Sequence, residues 1–163
     1  MKIALYIGTH AKDDALTRIG WAATRVVQKG SFRRVTHVEA ILEEHADGSV
    51  TIASASLRDG GVRTKSVKLN PNHWLIYDVP AWDMLRAQVW FAEHAGERYD
   101  WRGAFVTWLP ATWNMPDEWF CNEAVGASVG MVDPDISGPS QFAATAASFG
   151  RDVTEEFFNS RGQ

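Results

Sequence analysis

The chain has a single cysteine, Cys121, among its 163 residues. One thiol forms no internal disulfide and builds no zinc site by itself. No stretch has the apolar length needed to span a membrane. The opening "MKIALYIGTHAKDD" has no long apolar core and no small-residue cleavage site, so no signal peptide is expected. The expectation is a protein that is cytoplasmic as synthesised, with export by another route left open. Positive charge is also short: 16 Lys and Arg stand against 20 Asp and Glu, a net charge of −4. That balance argues against a nucleic-acid binder, which needs a basic face to neutralise phosphates. Internal repeats, linkers and low-complexity segments are missing as well.

What is present is an average globular composition, 45% hydrophobic and 22% charged, in a length suited to one domain over residues 1–163. Tryptophan is abundant. There are eight, and Trp101, Trp108, Trp113 and Trp119 lie just ahead of Cys121. Such side chains fill a core or line a binding surface.

"KIALYIGT" is apolar without helical period and reads as a strand. "DDALTRIGWAATRVVQKG" reads as an amphipathic helix with Leu16, Ile19, Ala23, Val26 and Val27 on one face, Asp13 or Asp14 at its start and Gly30 at its end. The turn signals "ADGS" and "RDGGV" separate β-prone segments in the manner of an antiparallel meander, and "HWLIYDVP" adds a strand. "AWDMLRAQVWFAEHAG" predicts a helix with Trp82, Leu85, Val89 and Ala92 on its apolar face. A helix is predicted near Cys121, and another begins with Pro139 at its first position. The tail "FFNSRGQ" is expected to fray. Strand, helix, a block of strands and then helices give an α+β class with one core.

"EWFCNEAVGASVG" poses the chemical question. A cysteine in the first turn of a helix meets free backbone N–H groups and the positive end of the helix dipole, which stabilise a thiolate and then a tetrahedral oxyanion. The plainer alternative is a buried, inert thiol. Asp117 and Glu118 favour a helix start but oppose a thiolate if they point at it. A base is also needed. Of five histidines, His10, His45, His73 and His94 fall in turns or at element ends and read as surface residues. His37 lies inside "VTHVEAILE", where alternation puts His37, Glu39 and Ile41 on one face and Val38, Ala40 and Leu42 on the other. A histidine inside a strand needs a polar partner, and a purely structural hydrogen bond also meets that need.

Four segments in order sharpen the choice: "THVE" (36–39), "ASASLRDGGVR" (53–63), "YDWRG" (99–103) and "FCNEAV" (120–125). Together they resemble the circularly permuted NlpC-like branch of the papain-fold cysteine hydrolases, in particular small members carried by phages and prophages. The resemblance spans roughly Lys2 to Ser140. It implies an antiparallel curved sheet or partial barrel with the Cys121 helix packed on it. It implies Cys121 as nucleophile and His37 as base. It puts the third polar group on the next strand, where Ser54 in "SVTIASAS" matches best. Serine is a weaker orienter than the histidine or acid often found there, and Glu39, alongside His37, is the other candidate.

Glu39 is otherwise expected to line the cleft and contact substrate, and Tyr6 either to place its hydroxyl near the oxyanion or to pack the core. Glu123 reads as structural, and Asp100 and Trp101 as braces for the loop before Cys121. No metal or organic cofactor is expected. The substrate class implied is the peptides of bacterial peptidoglycan, with a phage structural protein as a further expected partner and a virion-associated or released location. Two alternatives stay open: an acyltransferase or lipid hydrolase on the same dyad, and a non-catalytic binding module.

Overall fold

The computed structural model describes residues 1–8, 32, 34–100, 117–132 and 138–162. The helix expected at 13–30, His10, and the segment with Trp101, Trp108 and Trp113 lie outside the described residues. The described chain runs β1 (Lys2–Tyr6), β2 (His37–Glu44), β3 (Val50–Ser56), β4 (Gly61–Val67), β5 (Trp74–Asp78), α1 (Met84–Glu93), β6 (Arg98–Tyr99), β7 (Glu118–Trp119), α2 (Cys121–Ser128), α3 (Pro139–Phe149), β8 (Arg151–Asp152) and α4 (Thr154–Asn159). It is a mixed α+β fold. The eight strands form one curled sheet, a half-barrel, in the order β7-β6-β4-β3-β2-β1-β5-β8.

The meander expected from the turn signals is present. β2, β3 and β4 are consecutive antiparallel neighbours. The first turn is closed by the Asp47 carboxylate, which accepts from Ser49 N–H at 2.9 Å, with Gly48 at φ 82°. The second uses Gly60 at φ 87° and Gly61 at φ 148°. Gly61 also lets backbone approach backbone: a Cβ there would lie 1.9 Å from the Glu97 carbonyl oxygen. Among the described strands only β6 and β7 run parallel, pairing Arg98 with Glu118 and Tyr99 with Trp119.

The sheet separates two apolar clusters. Val38, Ala40 and Leu42 of β2 share one with Ala53, Ala55, Ala124, Val125 and Phe142. Ile41 belongs to the other, with Ile52, Ile76, Phe157 and Phe158. The alternation expected for β2 therefore holds.

Two expectations are corrected. In α1 the buried residues are Ala87 and Phe91, while Leu85 and Val89 are 67% and 50% exposed. The segment is apolar nearly all round, so period alone does not choose its inner face. The tail does not fray. Residues 154–159 form α4, which buries Phe157 and Phe158, and Arg161 donates to the Glu44 carboxylate and lies 3.6 Å from the Phe157 ring centre.

Candidate active site

β1 lies inside the sheet, between β2 and β5, and sets the position of His37, because Tyr6 pairs directly with His37 on one side and with Trp74 on the other. β7 leads the chain into α2. Phe120 is extended, at φ −106° and ψ 169°, and Cys121 begins the helix. The Glu123 carboxylate accepts from the Phe120 N–H at 3.3 Å, which satisfies one free donor at this end. The far end is closed by a Schellman pair, Met131 N–H to Gly126 C=O at 2.9 Å and Gly130 N–H to Ala127 C=O at 3.0 Å, with Gly130 at φ 79°. α2 is thus fixed at both ends, and its first residue has little freedom of position. Glu123 is structural, as the sequence suggests.

His37 and Cys121 meet. The imidazole and the thiol are hydrogen-bond partners, although 84 positions separate them in the chain. Glu39 is the second partner of the ring, with Nε2 and Oε1 2.8 Å apart. Burial alone would lower the His37 pKa. The charge of Glu39, the charge of a Cys121 thiolate and the hydrogen bonds to both outweigh burial and raise it from 6.5 to about 9. Burial alone would likewise raise the Glu39 pKa; His37 first, then Arg63, bring it down to about 2. At neutral pH the ring is an imidazolium held against a carboxylate.

Glu39 is 2% exposed, and both its oxygens are occupied. Arg63 Nη1 donates to Oε2 at 2.7 Å and Nη2 to Oε1 at 2.5 Å, a bidentate fork. Arg63 Nε donates to Asp59 at 2.7 Å, and Lys65 donates to the same Asp59 oxygen at 2.5 Å. This corrects the expectation that Glu39 contacts substrate, because its carboxylate is spent on His37 and Arg63.

It also corrects the role given to Ser54. The Ser54 hydroxyl is fully buried and donates to the carbonyls of Ala55, at 3.3 Å, and Cys121, at 3.4 Å. The carboxylate that meets the His37 ring is that of Glu39, two residues along the same strand. Residues i and i+2 lie ~6.6 Å apart on one face at the usual strand rise. An imidazole and a glutamate side chain leaning toward each other close that gap.

Tyr6 is buried, with its ring edge-to-face against Trp74 at 4.9 Å, and its hydroxyl lies over Gly8. It packs beside His37 on the paired strand. The Asp100 N–H donates to the Trp119 carbonyl at 2.9 Å, which braces the approach to Cys121. Tyr99 is a neighbour of Cys121 that sequence reasoning did not single out: burial, then the charge of Cys121, then that of Asp100 push its phenol well above its usual range. Its signal was its place in "YDWRG", one residue before Asp100. The pairing of Arg63 on β4 with Glu39 on β2 passes over β3, which no local pattern records.

Among the described residues no group of His, Cys, Asp and Glu is arranged to hold a metal, and no helix is long and apolar enough to cross a membrane. Compared with known proteins, the chain matches no family model, no curated protein and no solved structure.

Proposed function

We propose that this protein is a cysteine hydrolase of amide bonds, with Cys121 as nucleophile, His37 as its acid–base partner and Glu39 as the group that orients His37. The observation that carries the reading is the pairing of the His37 ring with the Cys121 thiol on one side and the Glu39 carboxylate on the other. Nucleophile, base and orienter within hydrogen-bond reach of one another are the signature of an activated thiol.

The steps follow. With the Cys121 proton carried by the His37 ring as imidazolium, the sulfur attacks the carbonyl carbon and forms a C–S bond. Backbone N–H groups at the start of α2 stabilise the oxyanion. The C–N bond then breaks, and the imidazolium gives its proton to the leaving amine. Water, losing a proton to the neutral ring, cleaves the thioester and restores the thiol pair. Glu39 keeps the ring oriented throughout, and the Nε2 contact leaves Nδ1 for the thiol.

The order of the parts, with the histidine strand ahead of the cysteine helix, supports a circularly permuted NlpC-like domain. On that analogy the substrate class is the short peptides of bacterial peptidoglycan. One observation favours a second reading, a non-catalytic binding module on the same fold: Cys121 is only 3% exposed. Incubation of wild type and Cys121→Ala with muropeptides, and separately with phospholipids and acyl thioesters, tests both. New amine from the muropeptides in wild type alone is the expected result. Release of acyl chains without new amine would move the reading to a lipid or thioester hydrolase, and no turnover of any of them would move it to the binding module.

A further inference from the structure

Arg63 stands on β4, two strands away from Glu39 on β2, at a separation of ~9.5 Å across the sheet. Between them runs β3, where Ser54 pairs directly with Arg63. The antiparallel Ala40–Ala53 pair sets Glu39, one residue before Ala40, across from Ser54, one residue after Ala53. Ser54 is small and fully buried, so the Arg63 side chain passes over β3, donating to the Ser54 carbonyl at 3.4 Å on its way to Glu39. A larger residue at 54 would stand in that path.

Glu39 Oε1 accepts from two donors, His37 Nε2–H and Arg63 Nη2–H, while Oε2 accepts from Arg63 Nη1–H. A carboxylate meets all three. A Gln at 39 would turn an NH2 group toward one of these donors. The fork also fixes the plane of the carboxylate, and with it the direction from which Oε1 meets the ring. A lysine supplies charge but no fork. Asp59 holds the outer Nε edge of the guanidinium and is itself held by Lys65.

We propose that Arg63 is a positioning residue for the His37–Cys121 pair, acting through Glu39: its fork locks the carboxylate so that the imidazole is presented to the thiol in one orientation. The proposal rests on the dyad of the proposed function, but not on hydrolysis of any substrate.

The test is a double-mutant cycle read by the rate at which iodoacetamide alkylates Cys121 in the native protein at neutral pH, with His37→Ala as reference. Arg63→Met and Glu39→Ala are each expected to slow alkylation about tenfold, within the coupling found inside one hydrogen-bond network, and the double variant no further than either alone. By NMR, wild type is expected to show a deshielded Nε2–H proton resonance of His37, and Arg63→Met is expected to lose it. A purely structural role would give effects that multiply in the double variant and leave the resonance in place, and that outcome overturns the proposal. So does slowing by His37→Ala with none by Arg63→Met. Slowing by neither would overturn the dyad itself, and absence of muropeptide turnover would bear only on the hydrolase reading. Should Arg63→Met fail to fold, Arg63→Lys carries the test: a wild-type rate in that variant overturns the proposal.

Discussion

His37 Nε2 and Glu39 Oε1 lie 2.8 Å apart, two residues along one strand, with the carboxylate 2% exposed and the histidine side chain 14% exposed. An ion pair so sheltered from water makes stability depend on pH. The His37 pKa rises from 6.5 to about 9 on folding, so its contribution is complete below pH 6.5 and is lost as pH climbs through about 9. The Glu39 pKa falls from 4.5 to about 2, so its contribution is complete above pH 4.5 and is lost as pH drops toward 2. Urea midpoints should therefore plateau between about pH 4.5 and 6.5 and decline on both sides, by on the order of 2–3 kcal/mol on the alkaline limb. In Glu39→Gln the alkaline decline should flatten. An alkaline limb of the same depth in that variant would remove Glu39 as the source of the His37 shift.

Ser54 gives a contrasting expectation. Its hydroxyl makes only two long hydrogen bonds, at 3.3 and 3.4 Å, to main-chain carbonyls. Ser54→Ala keeps the small volume over which Arg63 passes, so stability should fall by about 1 kcal/mol or less. Alkylation of Cys121 should slow far less than in Glu39→Ala. Equal slowing in the two variants would return Ser54 to the role of orienter.

The contrast between these residues marks what the sequence could and could not tell. His37 was legible because a histidine inside an apolar strand demands a partner, and Cys121 because a helix start follows it. The turns at Asp47–Gly48 and Gly60–Gly61 were legible because left-handed backbone needs glycine. The choice between Ser54 and Glu39 was not legible, because side-chain length and lean decide whether two residues two apart on a strand meet. The inner face of α1 was not legible, since Leu85, Ala87, Val89 and Phe91 offer two apolar stripes and only the sheet selects one. The anchoring of the tail depends on Glu44, 117 positions from Arg161. Such a partner is invisible to any window of sequence.

That tail supplies a third expectation. Phe157 is 4% exposed in the second core cluster and lies under the Arg161 guanidinium. Phe157→Ala should cost about 3–5 kcal/mol, the range for emptying a buried aromatic site. Arg161→Ala removes a guanidinium whose side chain is only 9% exposed, with its bonds to Glu44 and to the Phe157 carbonyl, and should cost less, about 1–3 kcal/mol. Urea unfolding followed by tryptophan fluorescence separates the two. A Phe157→Ala midpoint close to wild type would mean that the last helix contributes little to the fold.

Gly60 and Gly61 are adjacent, both at positive φ, and differ in what surrounds them. An added Cβ on Gly60 meets nothing within 4 Å, so Gly60→Ala carries only the left-handed backbone penalty of about 1–2 kcal/mol. An added Cβ on Gly61 would lie 1.9 Å from the Glu97 carbonyl oxygen, which is main chain and cannot swing aside as a side chain does. That carbonyl accepts from Val62 N–H at 2.8 Å, and the Val62 carbonyl accepts from Gly96 N–H at 3.0 Å, so the contact is the junction of β4 with β6. β6 carries Tyr99 beside Cys121, and β4 carries Arg63. Gly61→Ala should therefore lower the thermal midpoint well beyond Gly60→Ala, by a few kcal/mol of stability, as strained backbone positions do. It should also slow Cys121 alkylation under conditions where the variant is still folded, because the junction positions groups on both sides of the thiol. Gly60→Ala should leave the alkylation rate near wild type. Equal melting of the two variants, with equal alkylation rates, would show that the β4–β6 junction yields to a methyl group and does not set the geometry of the site.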